Sequence, residues 1–267
     1  MATRTATPHA PASRSTPQRV VVILAMVLEI GATFLPSLGL GDPIQERSDA
    51  TRTLLTPSGW AFAIWGPLFA GSFLFAVYQA LPAQRDSALL GRIGWPVAGA
   101  FAAIGMWAVY TQFYALTAIS VAIILTALAC LMTVYRILVG TQRGFTRGER
   151  WLVVLPLSAL AAWLTAASIV NIAATLTYYG VDAGGANAML AAAVTVVGGI
   201  IVAVAAWRGR GNPIYAAVFL WALLAIYAQG GQAAPVIAYA TMLSGLLVIA
   251  AVVLKLRDPA NRRHWLG

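Results

Sequence analysis

The stretch PSGWAFAIWGPLFAGSFLFAVYQ, residues 57–79, decides the fold because it carries no charged side chain and is longer than the ~20 apolar residues that cross a bilayer as a helix. It contains two tryptophans, four phenylalanines and a tyrosine. Pro67 lies inside the stretch and predicts a kink or a free backbone carbonyl, because proline has no amide hydrogen. A helix of this composition offers an aromatic surface either to a flat apolar ligand or to another helix.

The composition of the whole chain indicates a membrane protein. Apolar residues make up 60% of it, charged residues 9%, and the mean hydropathy is +0.81, whereas soluble domains have roughly 25% charged residues. Because lipid offers the backbone no hydrogen-bond partners, apolar runs without strand alternation are predicted to be helices. The predicted fold class is therefore all-α, a polytopic membrane helical bundle of about eight transmembrane helices. The runs are 20–40, 60–81, 94–110, 115–139, 151–178, 188–207, 213–229 and 234–256.

Basic residues orient these runs, since they collect on the cytoplasmic side of short loops. With the N-terminus inside, all of the 17 lysines and arginines except Arg47 and Arg52 fall on the inner side. Both termini are therefore predicted to be cytoplasmic, in the cell membrane (inner or plasma membrane). The net charge of +9 follows from this bias and from attraction to a bilayer with anionic lipids. No nucleic-acid partner is predicted, because no basic run is interleaved with stacking aromatics outside the spans.

Four segments outside the spans have distinct characters. Residues 1–19 are rich in Pro, Ser, Thr and Arg and contain no acid, which predicts a disordered cytoplasmic arm. Residues 41–59 form the only long outer loop, which we expect either to cover the mouth of a cavity or to be a polar tether. The inner loop 143–150 is predicted to be solvated, and residues 257–267 to be a basic cytoplasmic tail.

Glu29 is the only carboxylate inside a predicted span. A charged side chain near the bilayer centre costs at least ~2.5 kcal/mol on insertion scales, so this residue needs a compensating partner. Two interpretations stay open. Glu29 is either a proton-linked or hydrogen-bonding group in a ligand cavity, or a protonated acid bonded to a neighbouring helix.

The nine tryptophans divide by position. Those at the ends of spans suit the interfacial aromatic belt, and they are Trp60, Trp95, Trp151, Trp207 and Trp265. Those inside spans each carry an indole donor that needs a partner, and they are Trp65, Trp107, Trp163 and Trp221. Ordinary packing explains any one of the second group, whereas all four together indicate a shared cavity.

The fifth span carries a stripe of polar side chains on one helical face. Such a stripe in a membrane helix points inward and either bonds helices together or lines a cavity. Asn171 is the residue of this stripe that we expect to line a cavity. The stripe consists of Thr165, Ser168, Asn171, Thr175 and Tyr178.

These segments resemble the tryptophan-rich sensory proteins, the TspO/MBR or translocator-protein family, and are most similar to its longer bacterial branch. The resemblance rests on TPSGWAFAIWG at 56–66 and LPLSALAAWLTAASIVN at 155–171, and it covers about residues 20–180. The family's short form has Pro-Pro-x-Trp-x-Phe-Gly-Pro-Val-Trp in its second helix. Here Ser58 replaces the second proline, and Trp65 follows Trp60 by five positions instead of six, a rotation of ~100°.

The resemblance implies a five-helix membrane bundle at 20–180. The three additional helices at 181–256 have no counterpart in the family's five-helix form, and they either complete the cavity, replace the dimer interface of the short form or add bulk. The resemblance also implies an intrabundle cavity, closed by the outer loop, for a flat hydrophobic ligand of the porphyrin, sterol or isoprenoid class. No cofactor is required, a porphyrin is a candidate ligand, and a homodimer is a candidate assembly. The predicted ligand-binding residues, to which Glu29 is added from its position, are Pro57, Trp60, Phe62, Trp65, Trp107, Trp163, Asn171 and Glu29.

Other chemistry finds little support in the sequence. The only histidines are His9 and His264, both in predicted tails, so neither a His-ligated haem nor a His metal site is predicted. No phosphate-binding glycine loop and no Ser-His-Asp set appears, and no catalytic residue is proposed. Three functions stay open: a ligand-binding sensor or regulator, a transporter or exporter coupled to protons through Glu29, and an enzyme acting on a tetrapyrrole or isoprenoid.

Overall fold

The computed structural model describes residues 14–267, and every regular element within them is helical. Residues 1–13, which are most of the predicted disordered arm, lie outside the described residues. The α-helices are α1 (Thr16–Gly31), α2 (Ile44–Ala50), α3 (Trp65–Ala80), α4 (Ala88–Tyr114), α5 (Ala118–Val139), α6 (Arg147–Glu149), α7 (Leu155–Tyr178), α8 (Asn187–Arg208), α9 (Pro213–Ile226), α10 (Pro235–Leu256) and α11 (Pro259–Trp265).

Eight stretches of the described chain are long and apolar enough to cross a membrane, which confirms the predicted number and the all-helical fold class. They comprise α1, α3, α4, α5, α7, α8, α9 and α10 with the short helical turns that extend them. A 3-10 turn at Gly59–Ile64 precedes α3, and π-helical turns at Arg150–Val154 and Tyr227–Gly231 adjoin α7 and α9. Pro67 therefore lies in the first turn of α3, where its missing amide hydrogen costs little.

Two helices begin several residues before the apolar runs that predicted them, because a capping side chain fixes the start of each helix. The first run was predicted at 20–40, but α1 begins at Thr16 because the Ser15 hydroxyl accepts a hydrogen bond from the amide of Gln18. The third was predicted at 94–110, but α4 begins at Ala88, where Ser87 caps the helix in the same way. Capping side chains thus extend both helices beyond their apolar runs.

The N-terminal end of α1 is not part of a disordered arm, which corrects the prediction for residues 14–19. Arg14 is buried, and its guanidinium donates to the backbone oxygen of Gln79 at 2.9 Å and to the Gln79 side-chain oxygen at 2.8 Å. Its Nε also donates to Gln18. These bonds fasten the start of α1 to the end of α3.

Helix α7 is the most deeply buried of the eight crossings. Helix α4 packs between α1 and α5, α7 packs against α3, α5 and α9, and α8 packs mainly along α10. Glycines allow the closest approaches: a Cβ at Gly105 would collide with Leu28 of α1, and one at Gly199 would collide with Ser244 of α10. The predicted segments 20–180 and 181–256 meet where α9 joins α7.

Polar bonds support that junction inside the bundle. The Thr165 and Tyr215 hydroxyls lie 2.9 Å apart, and the Asn212 amide donates to the Ser158 hydroxyl at 2.9 Å. The first bond links α7 to α9, and the second links α7 to Asn212, the residue that caps the start of α9. Buried hydroxyls and amides of membrane helices need such partners, so Thr165 and Ser158 bond helices together.

The C-terminal tail forms a helix that packs against the loop 143–150. In that loop Phe145 and Glu149 are buried, whereas the other residues are exposed or half-buried, as predicted for a solvated loop. The tail forms α11, in which His264 and Trp265 are buried against the ring of Phe145. Trp265 is 3% exposed and donates to the Gly209 carbonyl at 3.1 Å. Trp265 therefore does not belong to the interfacial belt, whereas Trp95, Trp151 and Trp207 are exposed as the belt requires.

Candidate functional site

Residues 41–59, here called the cap, are an ordered segment that contains α2. On one side the Asp42 amide and the Arg47 guanidinium both donate to the carbonyl of Gln112, each at 3.0 Å. Arg47 also pairs with the Asp42 carboxylate at 2.7 Å. These bonds attach the first half of the cap to the end of α4, which a free polar tether would lack.

The second half of the cap attaches to α9. The Ser58 amide donates to the Ala225 carbonyl at 3.1 Å, and Leu55 is buried. The carbonyl of Leu54 packs directly against Gly230 in the π-helical turn, where no Cβ would fit. The cap is thus held across the bundle from α4 to α9.

A cavity lies beneath the cap, between α4, α7 and α9. It holds about 550 Å³ of atom-free space including its open mouth. Most of its lining is aromatic or aliphatic, with Asn171 and Ser48 as polar members. We call it the aromatic cavity, and its lining is Ile44, Ser48, Pro57, Phe62, Trp107, Leu116, Trp163, Ala166, Ala167, Val170, Asn171, Ala222 and Ile226.

The aromatic rings of this cavity come from separate elements. Phe62 of the 3-10 turn meets Trp163 of α7 edge to face, with ring centroids 6.3 Å apart. Trp107 of α4 donates from its Nε1 to the side-chain oxygen of Asn171 at 3.5 Å. The amide nitrogen of Asn171 donates in turn to the Ser120 hydroxyl at 3.0 Å. Asn171 therefore orients one indole of the cavity wall.

Trp163 carries an unused hydrogen-bond donor. Its side chain is 3% exposed, and its Nε1 has no partner among the described residues. A buried donor without an acceptor costs roughly 1–3 kcal/mol. Because Trp163 lines the cavity, an acceptor atom of a molecule bound there is one candidate partner for this donor.

Five of the eight predicted binding residues line this one cavity: Pro57, Phe62, Trp107, Trp163 and Asn171. The other polar residues of the α7 stripe do not line it. Thr165 and Thr175 bond neighbouring segments, Ser168 bonds the carbonyl of Leu164, and Tyr178 is exposed.

The remaining three predicted residues lie outside this cavity, which corrects their expected placement. Trp60 is 44% exposed and packs edge to face on Trp221 of α9. The ring of Trp65 stacks on the ring of Phe69 and meets the ring of Trp163 edge to face, but Trp65 does not line the cavity. The shift of Trp65 by one position relative to the family's short form agrees with this placement.

Glu29 does not line this cavity, and neither does any other residue of α1, the helix that carries it. Its side chain is 0% exposed and accepts a hydrogen bond from the Ser72 hydroxyl of α3 at 3.2 Å. The second carboxylate oxygen has no partner among the described residues. The bond to a neighbouring helix matches one of the two interpretations that the sequence left open.

Several lining residues were not predicted from the sequence. They are small or aliphatic, as with Ala166, Ala222 and Ile226, or belong to the cap, as with Ile44 and Ser48. Such residues occur throughout the chain, so no local pattern marks them. Helix α9 is one of the three additional helices, so these helices contribute Ala222 and Ile226 to the lining.

Eight apolar crossings around a capped internal cavity define a multi-pass membrane protein with a cavity inside its helical bundle. A family model described as TSPO-like protein matches residues 18–254, and the chain therefore belongs to the TSPO-like family. The match extends past the 20–180 seen by resemblance and reaches all eight crossings. A search of curated proteins and a search of solved structures each found no match.

Proposed function

We propose that this protein is a ligand-binding sensor or regulator that holds a flat hydrophobic molecule in the aromatic cavity. The observation that carries the proposal is the convergence of Phe62, Trp107, Trp163 and Asn171 beneath the ordered cap. A mostly apolar, concave site with a few oriented polar groups is the usual form of a small-molecule site. Family membership supports the same conclusion.

The chemistry of the lining defines the ligand class. Aromatic walls favour a flat apolar ring, and the free Nε1 of Trp163 favours an acceptor atom on that ring. Porphyrins, sterols and isoprenoid compounds are the classes we propose. The atom-free space of about 550 Å³ includes the open mouth, so a molecule as wide as a porphyrin requires the cap to move.

Filling the cavity tests the proposal directly. We expect Ala167→Phe to weaken saturable binding of protoporphyrin about tenfold or more, because overpacking a filled site costs roughly 1–3 kcal/mol. Ala167 lines the aromatic cavity. Binding is measured on purified protein from the absorbance of the porphyrin.

The matched control is Ala193→Phe, the same change on an exposed position of α8, which should bind as the unaltered chain does. Equal affinity in both variants would count against the cavity as the binding site. Absence of saturable binding in the unaltered chain would remove protoporphyrin as a ligand.

Transport is the second candidate function, and it depends on Glu29. A fully buried carboxyl with one unpartnered oxygen inside a membrane helix is by default a candidate for proton coupling. Proteoliposomes with an imposed pH gradient should then accumulate the hydrophobic compound, and Glu29→Gln should abolish the gradient dependence. Uptake that is equal in both proteins would exclude this role.

The proposed setting is the cell membrane, with the basic end of the bundle in the cytoplasm against anionic lipid. In the described chain Arg85, Arg92, Arg143 and Arg208 lie at that end, and the cap lies at the opposite one. A homodimer remains part of the proposal by resemblance to the family. Analytical ultracentrifugation in detergent is the measurement that tests it.

A further inference from the structure

A cation at the C-terminal ends of α8 and α10 has an aromatic ring as its partner instead of a carboxylate. The ammonium of Lys255 lies 4.3 Å from the centroid of the Trp207 ring, which makes a cation–π contact. Lys255 takes part in none of the ion pairs within residues 14–267. Those pairs join Arg47 to Asp42, Arg52 to Asp49 and Arg143 to Glu149. Because the ring is neutral, the positive charge of Lys255 stays uncompensated.

The acid that follows Lys255 in the chain has another role. Asp258 lies three residues later, and its carboxylate accepts a backbone hydrogen bond at 2.8 Å as the cap of α11. Residues 1–13 offer no carboxylate side chain, because they contain no Asp or Glu. Arg208 ends α8 and Arg257 follows α10, and both are exposed. This end of the helix pair therefore carries an excess of positive charge.

The connection between α8 and α9 holds the side chain of Lys255 in place. Gly211 in that connection has a φ of +75°, and a Cβ at this position would lie 2.8 Å from the Cβ of Lys255. The backbone thus packs directly on the base of the lysine, while the ring of Trp207 contacts its ammonium. A cation that is already held in this way loses little conformational freedom when an anion binds.

The surface of α8 beside this cation is apolar. Trp207 is exposed, and so are Val204 and Ile200, which lie one and two turns earlier on the same helical face. A tryptophan at the end of a crossing lies at the level of the lipid headgroups, and the aliphatic side chains lie deeper, at the level of the acyl chains. A molecule that fits this surface has an anionic group near Trp207 and apolar chains beside Val204 and Ile200.

We propose that the ends of α8 and α10 bind an anionic phospholipid, with its phosphate on the ammonium of Lys255 and its acyl chains along Val204 and Ile200. The phosphate supplies the missing negative charge, and its oxygens accept the hydrogen bonds that an ammonium donates. The cytoplasmic leaflet, where the predicted orientation places this end, is the one with a negative surface potential. This inference does not depend on the aromatic cavity, and it gives a role to two of the three additional helices.

Magnetic resonance can locate the lipid, because Lys255 is the only lysine of the chain. Reductive methylation with isotopically labelled formaldehyde therefore marks one side chain and keeps its positive charge. We expect phosphatidylglycerol, added to the unaltered protein in neutral detergent, to shift the Lys255 methyl signal in a saturable way. Phosphatidylcholine with the same acyl chains should not shift it, and neither should inorganic phosphate. An equal shift with either of these two, or no saturable shift with phosphatidylglycerol, would overturn the proposal.

Two variants that each remove one charge distinguish this site from diffuse attraction to the basic end. Lys255→Gln should weaken binding of phosphatidylglycerol about fivefold, as expected for the loss of one cation at the membrane surface. The matched control is Arg136→Gln, because Arg136 is exposed in the last turn of α5, and it should bind as the unaltered protein does. Native mass spectrometry measures the fraction of protein with bound lipid. An equal loss in both variants, or no loss in Lys255→Gln, would contradict a specific site, and the resonance measurement decides if Lys255→Gln does not fold.

Discussion

Asn171 differs from the other polar residues of α7 in what its hydrogen bonds achieve. The hydroxyl groups of Thr165, Ser168 and Thr175 form hydrogen bonds with backbone carbonyls or with a side chain of a neighbouring helix. Asn171 instead bonds Ser120 of α5 and the indole of Trp107, and it lines the aromatic cavity. It thereby couples helix packing to the orientation of one wall of the site.

Trp163 offers the sharpest prediction for a single side chain. Trp163→Phe keeps an aromatic ring in the wall and removes the indole donor. We expect protoporphyrin, which has carboxylate acceptors, to bind about fivefold more weakly, because one hydrogen bond contributes about 1 kcal/mol net. The absorbance of the porphyrin is the readout, since removing a tryptophan does not alter it.

Trp151→Phe serves as the control for this change. Trp151 is exposed in the π-helical turn that precedes α7 and does not line the cavity, so its replacement should leave the affinity as it was. An unaltered affinity in Trp163→Phe would mean that the ligand does not accept from this indole.

The cap is the element that lines the aromatic cavity from outside the long helices. It is bound to α4 through Gln112 and to α9 through Ala225 and Gly230. The π-helical turn Tyr227–Gly231 belongs to this attachment, as such turns often occur at functional sites. The additional helices therefore contribute one of the two supports of the cap.

Gly230→Ala should loosen this support, because the new methyl group collides with the Leu54 carbonyl oxygen. We expect trypsin to cleave after Arg47 or Arg52 several-fold faster than in the unaltered protein, as a displaced cap exposes its backbone. Cleavage is followed by gel electrophoresis and mass spectrometry.

Gly66→Ala is the matched control for the cap, because no atom lies within 4 Å of a Cβ placed there. Its cleavage rate should equal that of the unaltered protein. Equal rates in Gly230→Ala as well would show that the contact with Leu54 does not hold the cap.

Helix α11 is the second element whose role depends on packing. His264 is 6% exposed and lies against Phe145 and Trp265. The pKa of His264 is lowered to about 4, chiefly by burial and also by the positive charge of Arg210, while a hydrogen bond to the Leu138 backbone opposes both effects. The imidazole is therefore neutral in the packed helix at neutral pH.

We expect α11 to detach from the rest of the bundle when the pH is lowered. Since the pKa of His264 is lower in the folded protein than its usual value of 6.5, its contribution to stability is complete above pH 6.5 and is lost as the pH falls toward 4. We expect hydrogen exchange of the α11 amides to accelerate across this interval. In His264→Gln the exchange should lose most of this pH dependence, and an identical profile in both proteins would contradict the assignment.

At the scale of the whole molecule, the charge bias predicts orientation. Asp86 lies in the connection between α3 and α4 at the basic end, and Asp182 lies between α7 and α8 at the cap end. In a Cys130→Ala background, Asp86→Cys should react with an impermeant maleimide only after the cells are opened. Asp182→Cys should react in intact cells once the reagent reaches the outer face of the membrane, and the reverse pattern would invert the topology.

The eight crossings were predictable because the signal for a membrane helix is local. A run of apolar residues of sufficient length must satisfy its own backbone in lipid, whatever its neighbours are. The limits of α1 and α4 were missed by several residues, because the capping residues Ser15 and Ser87 lie in polar sequence beyond the apolar runs. The packed helix α11 was missed because its seven residues are mostly polar.

The sequence by itself determined the number of crossings, their helical form, the family and five of the residues that line the cavity. Only the tertiary structure decided that Trp60, Trp65 and Glu29 lie outside it and that Ala166, Ala222 and Ile226 complete its wall. The physical reason is that lipid is as apolar as a helix interface. The face of a membrane helix that meets lipid therefore differs little in hydrophobicity from the face that meets other helices. The packing of the neighbouring helices decides which side chains line a cavity.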